Sequence, residues 1–181
     1  MEELDITNIK DFIRTVPDYP IAGVNFYDVN SLFSSPMWNP LVKHMAKECD
    51  EAFLFPTHIV GIESIGFVIG AALAYAMGLP FTMVRKKGAK YPGQLLEETY
   101  ELEYGSDTLT IQEGILGHTA RVIIADDLIA TGGSMIATKR LIKQTGAQVL
   151  GGVSIVNLQY LNSPEVSKSN FWTVNSLEIE K

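Results

Sequence analysis

Apolar residues recur at three- and four-residue steps in two places near the start of the chain. Ile6, Ile9, Phe12, Ile13 and Val16 predict an amphipathic helix over residues 5–16. Pro17-Asp18-Tyr19-Pro20 ends it, because proline lacks an N–H and restricts the residue before it. Residues 17–34 read as an irregular segment. Ser35-Pro36 then opens a second helix as N-cap and first-turn proline, with Trp38, Leu41, Val42, Met45 and Cys49 as its buried stripe.

From residue 57 the pattern becomes alternating strands and helices. Thr57–Glu63 is a short apolar strand that ends in a carboxylate, followed by a helix over Ile65–Met77 and a strand over Phe81–Arg85. Lys86–Gly93 is polar and turn-rich, so it reads as a loop. Tyr100, Leu102 and Tyr104 alternate with Glu101 and Glu103. Gly105-Ser106 makes a turn, and Leu109 and Ile111 alternate again, which is a β-hairpin signature. Val122–Ala125 is an uninterrupted apolar run of the kind that suits a strand buried on both faces of a parallel sheet. After a loop over 127–133 come a helix over Ser134–Gln144, closed by Gly146, and a strand over Val149–Leu158; Phe171–Ile179 reads as an edge strand. Strands alternating with helices predict an α/β fold with an open, mostly parallel sheet.

Composition narrows the function classes. The chain has 181 residues, 46% hydrophobic and 19% charged, with no internal repeat or linker, so one globular domain over 1–181 is expected. Its net charge is −7, from 14 Lys+Arg against 21 Asp+Glu. That charge argues against nucleic acid as a main partner, and any anionic ligand needs a local cluster of donors. Ser64–Val84 carries no charge over 21 residues, but Gly78-Leu79-Pro80 interrupts it, so no membrane span is expected. Cys49 is the single cysteine and reads as a reduced, buried thiol. Met1–Asp5 lacks the basic and apolar regions of a signal peptide, so a cytoplasmic location is expected.

In open α/β sheets, ligands bind beyond the carboxyl ends of the strands, which puts Glu63-Ser64, Lys86–Gly93 and Asp126–Ser134 forward as site segments. In the third, a buried strand delivers the carboxylates Asp126 and Asp127, and the loop ends in Thr131-Gly132-Gly133-Ser134 at a helix N-terminus. The glycines let successive N–H groups converge on one anion, the two hydroxyls add donors, and the helix dipole favours phosphate. The carboxylates suit a sugar diol or a hydrated metal ion. Together they form a grip for a ribose 5-phosphate; the blander alternative is a pair of acids that cap the helix.

The string Val122–Ser134 closely resembles the phosphoribosyl-pyrophosphate signature of type I phosphoribosyltransferases. Pro17–Pro20 with Gly23–Asp28, Gly61–Phe67, and Arg85–Gly88 with Pro92-Gly93 and Leu102–Gly105 resemble the base-binding hood, pyrophosphate loop and lid of adenine phosphoribosyltransferases. The similarity runs from about residue 9 to 158 and implies a type I phosphoribosyltransferase fold. In it, a twisted sheet flanked by helices carries a hood over about 1–34 and a lid with its hairpin over about 86–112. It implies transfer of the 5-phosphoribosyl group from phosphoribosyl pyrophosphate to adenine, giving AMP and pyrophosphate, in a homodimer. Asp126 and Asp127 would contact the ribose hydroxyls, and Ala130, Thr131, Gly132, Gly133 and Ser134 the 5-phosphate. Phe26 would stack on the purine, with Leu128 or Ile129 on its other face, while backbone groups of Asn25 and Tyr27 read its amino edge. Glu103 would be the acid/base group at N7, with Tyr104 closing over the reacting centre. Glu63, Ser64, Arg85, Lys86, Lys87 and Lys90 would face pyrophosphate, with a dimer interface as one route for the cations. Mg²⁺ would arrive with pyrophosphate, so no fixed metal site is expected, and His44, His58 and His118 show no ligand spacing.

Two departures bear on the pyrophosphate half. The family pattern Glu/Asp-Ser-Arg-Gly-Phe has Ile65 at the arginine position here, and Gly88–Gly93 makes the lid loop one residue longer than usual. Tyr27 also stands where the hood commonly has arginine. The alternatives are a transferase acting on another base and a non-catalytic nucleotide sensor on the same fold.

Overall fold

The computed structural model describes residues 6–101 and 105–176. Its first segment corrects the helix expected over 5–16. A 3₁₀ helix over Ile6–Phe12 kinks at Asn8, and Arg14–Val16 forms strand β1, paired antiparallel with β2 (Phe26–Asp28). Ile9 and Ile13 are still buried, so the apolar periodicity was real. The backbone turns extended because Pro17 disfavours helix in the residue before it and Thr15 and Val16 are β-branched. Arg14 and Asp28, opposite each other across the pair, form an ion pair of 2.6 Å. Within the segment expected to be irregular lie β2 and a short helix α1 (Asn30–Phe33). Ser35-Pro36 forms a turn ahead of helix α2 (Trp38–Ala52): the Ser35 hydroxyl accepts the Met37 N–H, and Met37 occupies the cap position.

The remaining elements are β3 (His58–Ile62), α3 (Ile65–Met77), β4 (Phe81–Lys86), β5 (Leu95–Glu101), β6 (Ser106–Gln112), β7 (Arg121–Ala125) and β8 (Leu128–Ile129). After them come α4 (Gly133–Gln144), β9 (Gln148–Asn157), α5 (Pro164–Ser167) and β10 (Phe171–Ser176). One sheet runs β10-β9-β7-β3-β4-β6-β5, with β8 beside β9. From β10 to β4 every pairing is parallel; β6 and β5 add an antiparallel hairpin at the β4 edge. The uncharged stretch Ser64–Val84 is α3 followed by β4, and no helix among the described residues is long and apolar enough to cross a membrane.

Past their first residues, His58 and Arg121, strands β3 and β7 are apolar because both faces are covered. Ile59 and Ile123 point into one core with Leu41, Met45, Ile69 and Leu73 of α2 and α3. Their neighbours Val60 and Ile124 point into a second core with Met135, Leu141 and Ile142 of α4. This is the two-residue alternation of a strand, read out on two hydrophobic layers. Across the sheet the strands lie in the order β4-β3-β7-β9-β10, so the direction of chain progression reverses between β3 and β7, the switch point where open α/β sheets bind ligands.

Close approach of α3 to that point depends on Gly66. A Cβ there would meet the Ala125 carbonyl oxygen at 2.7 Å and Asp126 Oδ1 at 3.1 Å. Gly66→Ala is therefore expected to destabilise the protein by about 1–3 kcal/mol, the usual cost of overpacking, measured as a lower urea midpoint.

Candidate active site

The site follows from strand register. β3 and β7 are parallel neighbours with Gly61 opposite Ala125, so Glu63-Ser64 and Asp126-Asp127 leave the sheet at the same edge. They border an open cleft of about 370 Å³, together with Ile65, Lys86, Tyr100, Leu128 and the loop Ala130–Ser134. Two of the three segments expected from sequence thus meet, and Lys86 joins them from the third.

Asp126 is 7% exposed, just past the end of β7, whose last four residues, Val122–Ala125, are apolar. Its Oδ1 accepts the Asp127 N–H at 3.0 Å, and its Oδ2 accepts the Ser134 hydroxyl at 3.3 Å. These bonds do not offset its surroundings. Burial, then the neighbouring Asp127 charge, pushes the Asp126 carboxyl well above the usual carboxylate range, and burial raises Asp127 as well. Glu63 goes the other way. Burial opposes its charge, but the Lys86 N–H at 2.9 Å and the Arg85 guanidinium at 3.3 Å outweigh that and lower its pKa. The cleft therefore has a firmly ionised carboxylate on one wall and a reluctant acid pair on the other.

The loop after Asp127 is fixed from behind. Ile155 and Val156 both donate to the Asp127 carbonyl, and β8 pairs with β9. Gly132 turns the chain at φ +83°, and a Cβ there would run into the Val166 side chain, so only glycine fits. The Thr131 hydroxyl accepts the Gly133 N–H at 3.4 Å, and α4 begins at Gly133.

The other expected residues divide. Leu128 lines the cleft, whereas Ile129 is wholly buried beneath it. Arg85 is engaged by Glu63 and lies 5.3 Å from the Tyr91 ring centroid. Lys87 pairs with Glu97 at 2.8 Å and Lys90 is exposed; neither lines the cleft. Asn25 and Phe26 are exposed on the β1–β2 hairpin, where Phe26 packs edge-on against Tyr19, and Tyr27 is buried; none of them lines this cleft. Glu103 and Tyr104 lie outside the described residues. Tyr100 was not foreseen. Its ring packs on Gly133, and burial, with Asp107 and Asp126 nearby, pushes its hydroxyl up to about 12. Hairpin alternation at Tyr100 was the one available signal, and alternation alone does not say what lies beneath.

A strand-end acid pair beside a glycine-turned loop at the switch point is the arrangement expected of a phosphoribosyltransferase. The phosphoribosyl transferase domain model matches residues 28–180. An adenine phosphoribosyltransferase of Rhodospirillum rubrum is 45% identical over 162 residues, covering 89% of this chain and 93% of that protein. One from Paracidovorax citrulli is 40% identical, covering 89% and 88%. The crystal structure of the Saccharomyces cerevisiae enzyme, complexed with adenine and an imino-altritol bisphosphate, matches with a TM-score of 0.85. It is 35% identical and covers 92% of this chain and 96% of that one. The chain belongs to the adenine phosphoribosyltransferase family.

The raised acid pair predicts a pH signature. A carboxyl whose folded pKa lies above its unfolded value costs stability when ionised, and that cost fades as pH falls through the folded pKa. Asp126→Asn should therefore raise the melting temperature at about pH 8, with the gain over wild type shrinking toward about pH 5. A thermal-melt series across that range checks it.

Proposed function

We propose that this protein transfers the 5-phosphoribosyl group of phosphoribosyl pyrophosphate to adenine, releasing pyrophosphate and forming AMP. The observation that carries this is the cleft itself, where Asp126-Asp127, Ala130–Ser134 and Glu63-Ser64 meet at one sheet edge. Asp126 and Asp127 take the ribose hydroxyls, and Ala130–Ser134 take the 5-phosphate with backbone N–H groups at the α4 N-terminus. A bond forms between a purine nitrogen and the anomeric carbon as the bond to pyrophosphate breaks. Glu103 holds the proton at N7, and Tyr104 shields the centre from water. Phe26 stacks on the base, with Leu128 rather than the wholly buried Ile129 on the other face, and backbone groups of Asn25 and Tyr27 read its edge. The hood over about 1–34 and the lid over about 86–112 belong to one domain spanning 1–181.

Positioning and charge stabilisation are what this reaction asks of the protein. Glu63, Ser64, Arg85 and Lys86 serve pyrophosphate, Lys86 being the cation among the described residues that lines the cleft, whereas Lys87, held by Glu97, and Lys90 stand outside it. Arg85 spends part of its charge on Glu63. Mg²⁺ brought by the substrate would neutralise pyrophosphate; Asp126 and Asp127, oxygen donors on the cleft wall, suit such a hard, hydrated cation. Ile65 on the cleft wall favours a second reading, a nucleotide sensor, because an apolar side chain holds no phosphate charge.

Product formation from phosphoribosyl pyrophosphate and Mg²⁺, with adenine, hypoxanthine, guanine and xanthine offered separately, separates these readings. AMP from adenine alone is the expected result. Binding of AMP with no product from any base would instead mean a sensor. Lys86→Ala should lower kcat/KM for phosphoribosyl pyrophosphate by roughly 10- to 100-fold, the loss of one charge-assisted contact, and Ile65→Arg should raise it.

A homodimer is proposed as well. Val68, Ala71 and Tyr75 are exposed at helical spacing on α3, and Tyr75 is 91% exposed, an apolar stripe suited to a second copy. Analytical ultracentrifugation is expected to give a dimer for the natural chain and a monomer for Tyr75→Glu.

A further inference from the structure

The segment that follows β9 does not line the main cleft, yet it grips the loop that does. The Leu158 N–H donates to the Ile129 carbonyl at 2.8 Å, and the Ser163 N–H donates to the Thr131 carbonyl at 3.0 Å. Between them, the Asn162 side-chain amide donates to the Ala130 carbonyl at 2.7 Å. The same nitrogen lies 2.9 Å from Asn157 Oδ1 and 3.3 Å from the Leu158 carbonyl, which fixes its place. Three successive loop carbonyls, 129, 130 and 131, therefore all point at this arm. In a trans peptide the N–H points opposite to the carbonyl, so the N–H groups of Ala130, Thr131 and Gly132 point away from the arm. Buried Val166 fills the space that a side chain at 132 would need, and Glu165 is held by Arg140 of α4 at 2.7 and 3.0 Å.

We infer that the arm over 158–166 sets the direction of the backbone N–H groups that receive the 5-phosphate, and that Asn162 is its positioning residue. The inference rests on the phosphate role proposed above for Ala130–Ser134. Asn162 is suited to this task because a planar amide can donate to a carbonyl without adding charge beside an anion site. Removing it frees the middle carbonyl of the three, and the 130–131 peptide can then rotate its N–H out of line.

Two variants separate positioning from plain stability. Asn162→Ala deletes the side-chain donor. Ser163→Pro deletes the N–H to Thr131 at a residue whose φ of −68° already suits proline, after an Asn162 whose ψ of 134° suits the position before one. Titration with ribose 5-phosphate by calorimetry reads binding without turnover, and KM for phosphoribosyl pyrophosphate and for adenine is measured alongside. About tenfold weaker ribose 5-phosphate binding is expected for Asn162→Ala and about fivefold for Ser163→Pro, from the loss of roughly one hydrogen bond. KM for phosphoribosyl pyrophosphate should rise in parallel and KM for adenine should stay within about twofold. Thr131→Ala serves as the loop control. If it weakens ribose 5-phosphate binding while both arm variants bind like wild type, the arm proposal is overturned. If Thr131→Ala changes nothing, the phosphate role of the loop fails first. Equal loss toward both substrates in the arm variants would also overturn the proposal, since general loosening has no substrate preference. Should Asn162→Ala not fold, Ser163→Pro decides alone.

Discussion

Burying a carboxylate at the end of an apolar strand is expensive, and most of the local architecture is arranged around keeping Asp126 in that position. The strand that carries it is covered on both faces, so its end has few water-facing directions. Parallel register with β3 brings Glu63-Ser64 beside it, and Gly66 lets α3 come close enough to seal that edge. A hydroxyl and one backbone N–H are the donors to Asp126 among the described residues. The cost shows in an acid pair whose pKa values burial raises above the usual carboxylate range.

The two walls of the cleft treat charge in opposite ways, and the difference fits their proposed tasks. Glu63 is settled by Arg85 and the Lys86 amide, so it works as a structural anchor that holds the β4 end in place. Asp126 and Asp127 have no cation paired with them among the described residues, which accords with the ligand-binding role proposed for them. An acidic chain of net charge −7 must assemble positive potential locally, and β4 does so with Arg85 and Lys86. Ile65 makes that assembly thinner here than the family pattern has it. Lys86 also lies 3.6 Å from Asp107, so part of its charge is shared with the hairpin.

Much of the frame was legible along the chain. The helix over Ile65–Met77 matches its expected bounds, and the apolar run Val122–Ala125 is a doubly covered strand. The local shape of the Asp126–Ser134 string was likewise readable, because strand, acids, glycines and helix start are contiguous. The first segment misled. Its three- and four-residue periodicity did mark buried positions, but Pro17 and the β-branched pair before it turned the end of the segment into a strand. Among the lid cations, spacing could not tell Lys86 from Lys87. Lys86 ends β4 and Lys87 starts the turn after it, and the choice belonged to Glu97, which takes Lys87 away.

The sequence by itself determined the local segments that make up the candidate site, because strand, acids, glycines and helix start are consecutive along the chain. Only the tertiary structure decided which segments share a cleft, that Tyr100 lines it, and that Asn162 and Val166 hold the Ala130–Ser134 loop from behind. Those contacts join residues some thirty positions apart. Their energy comes from register, packing and the partnering of carbonyls, and no residue type or spacing along the chain encodes these until the sheet has formed.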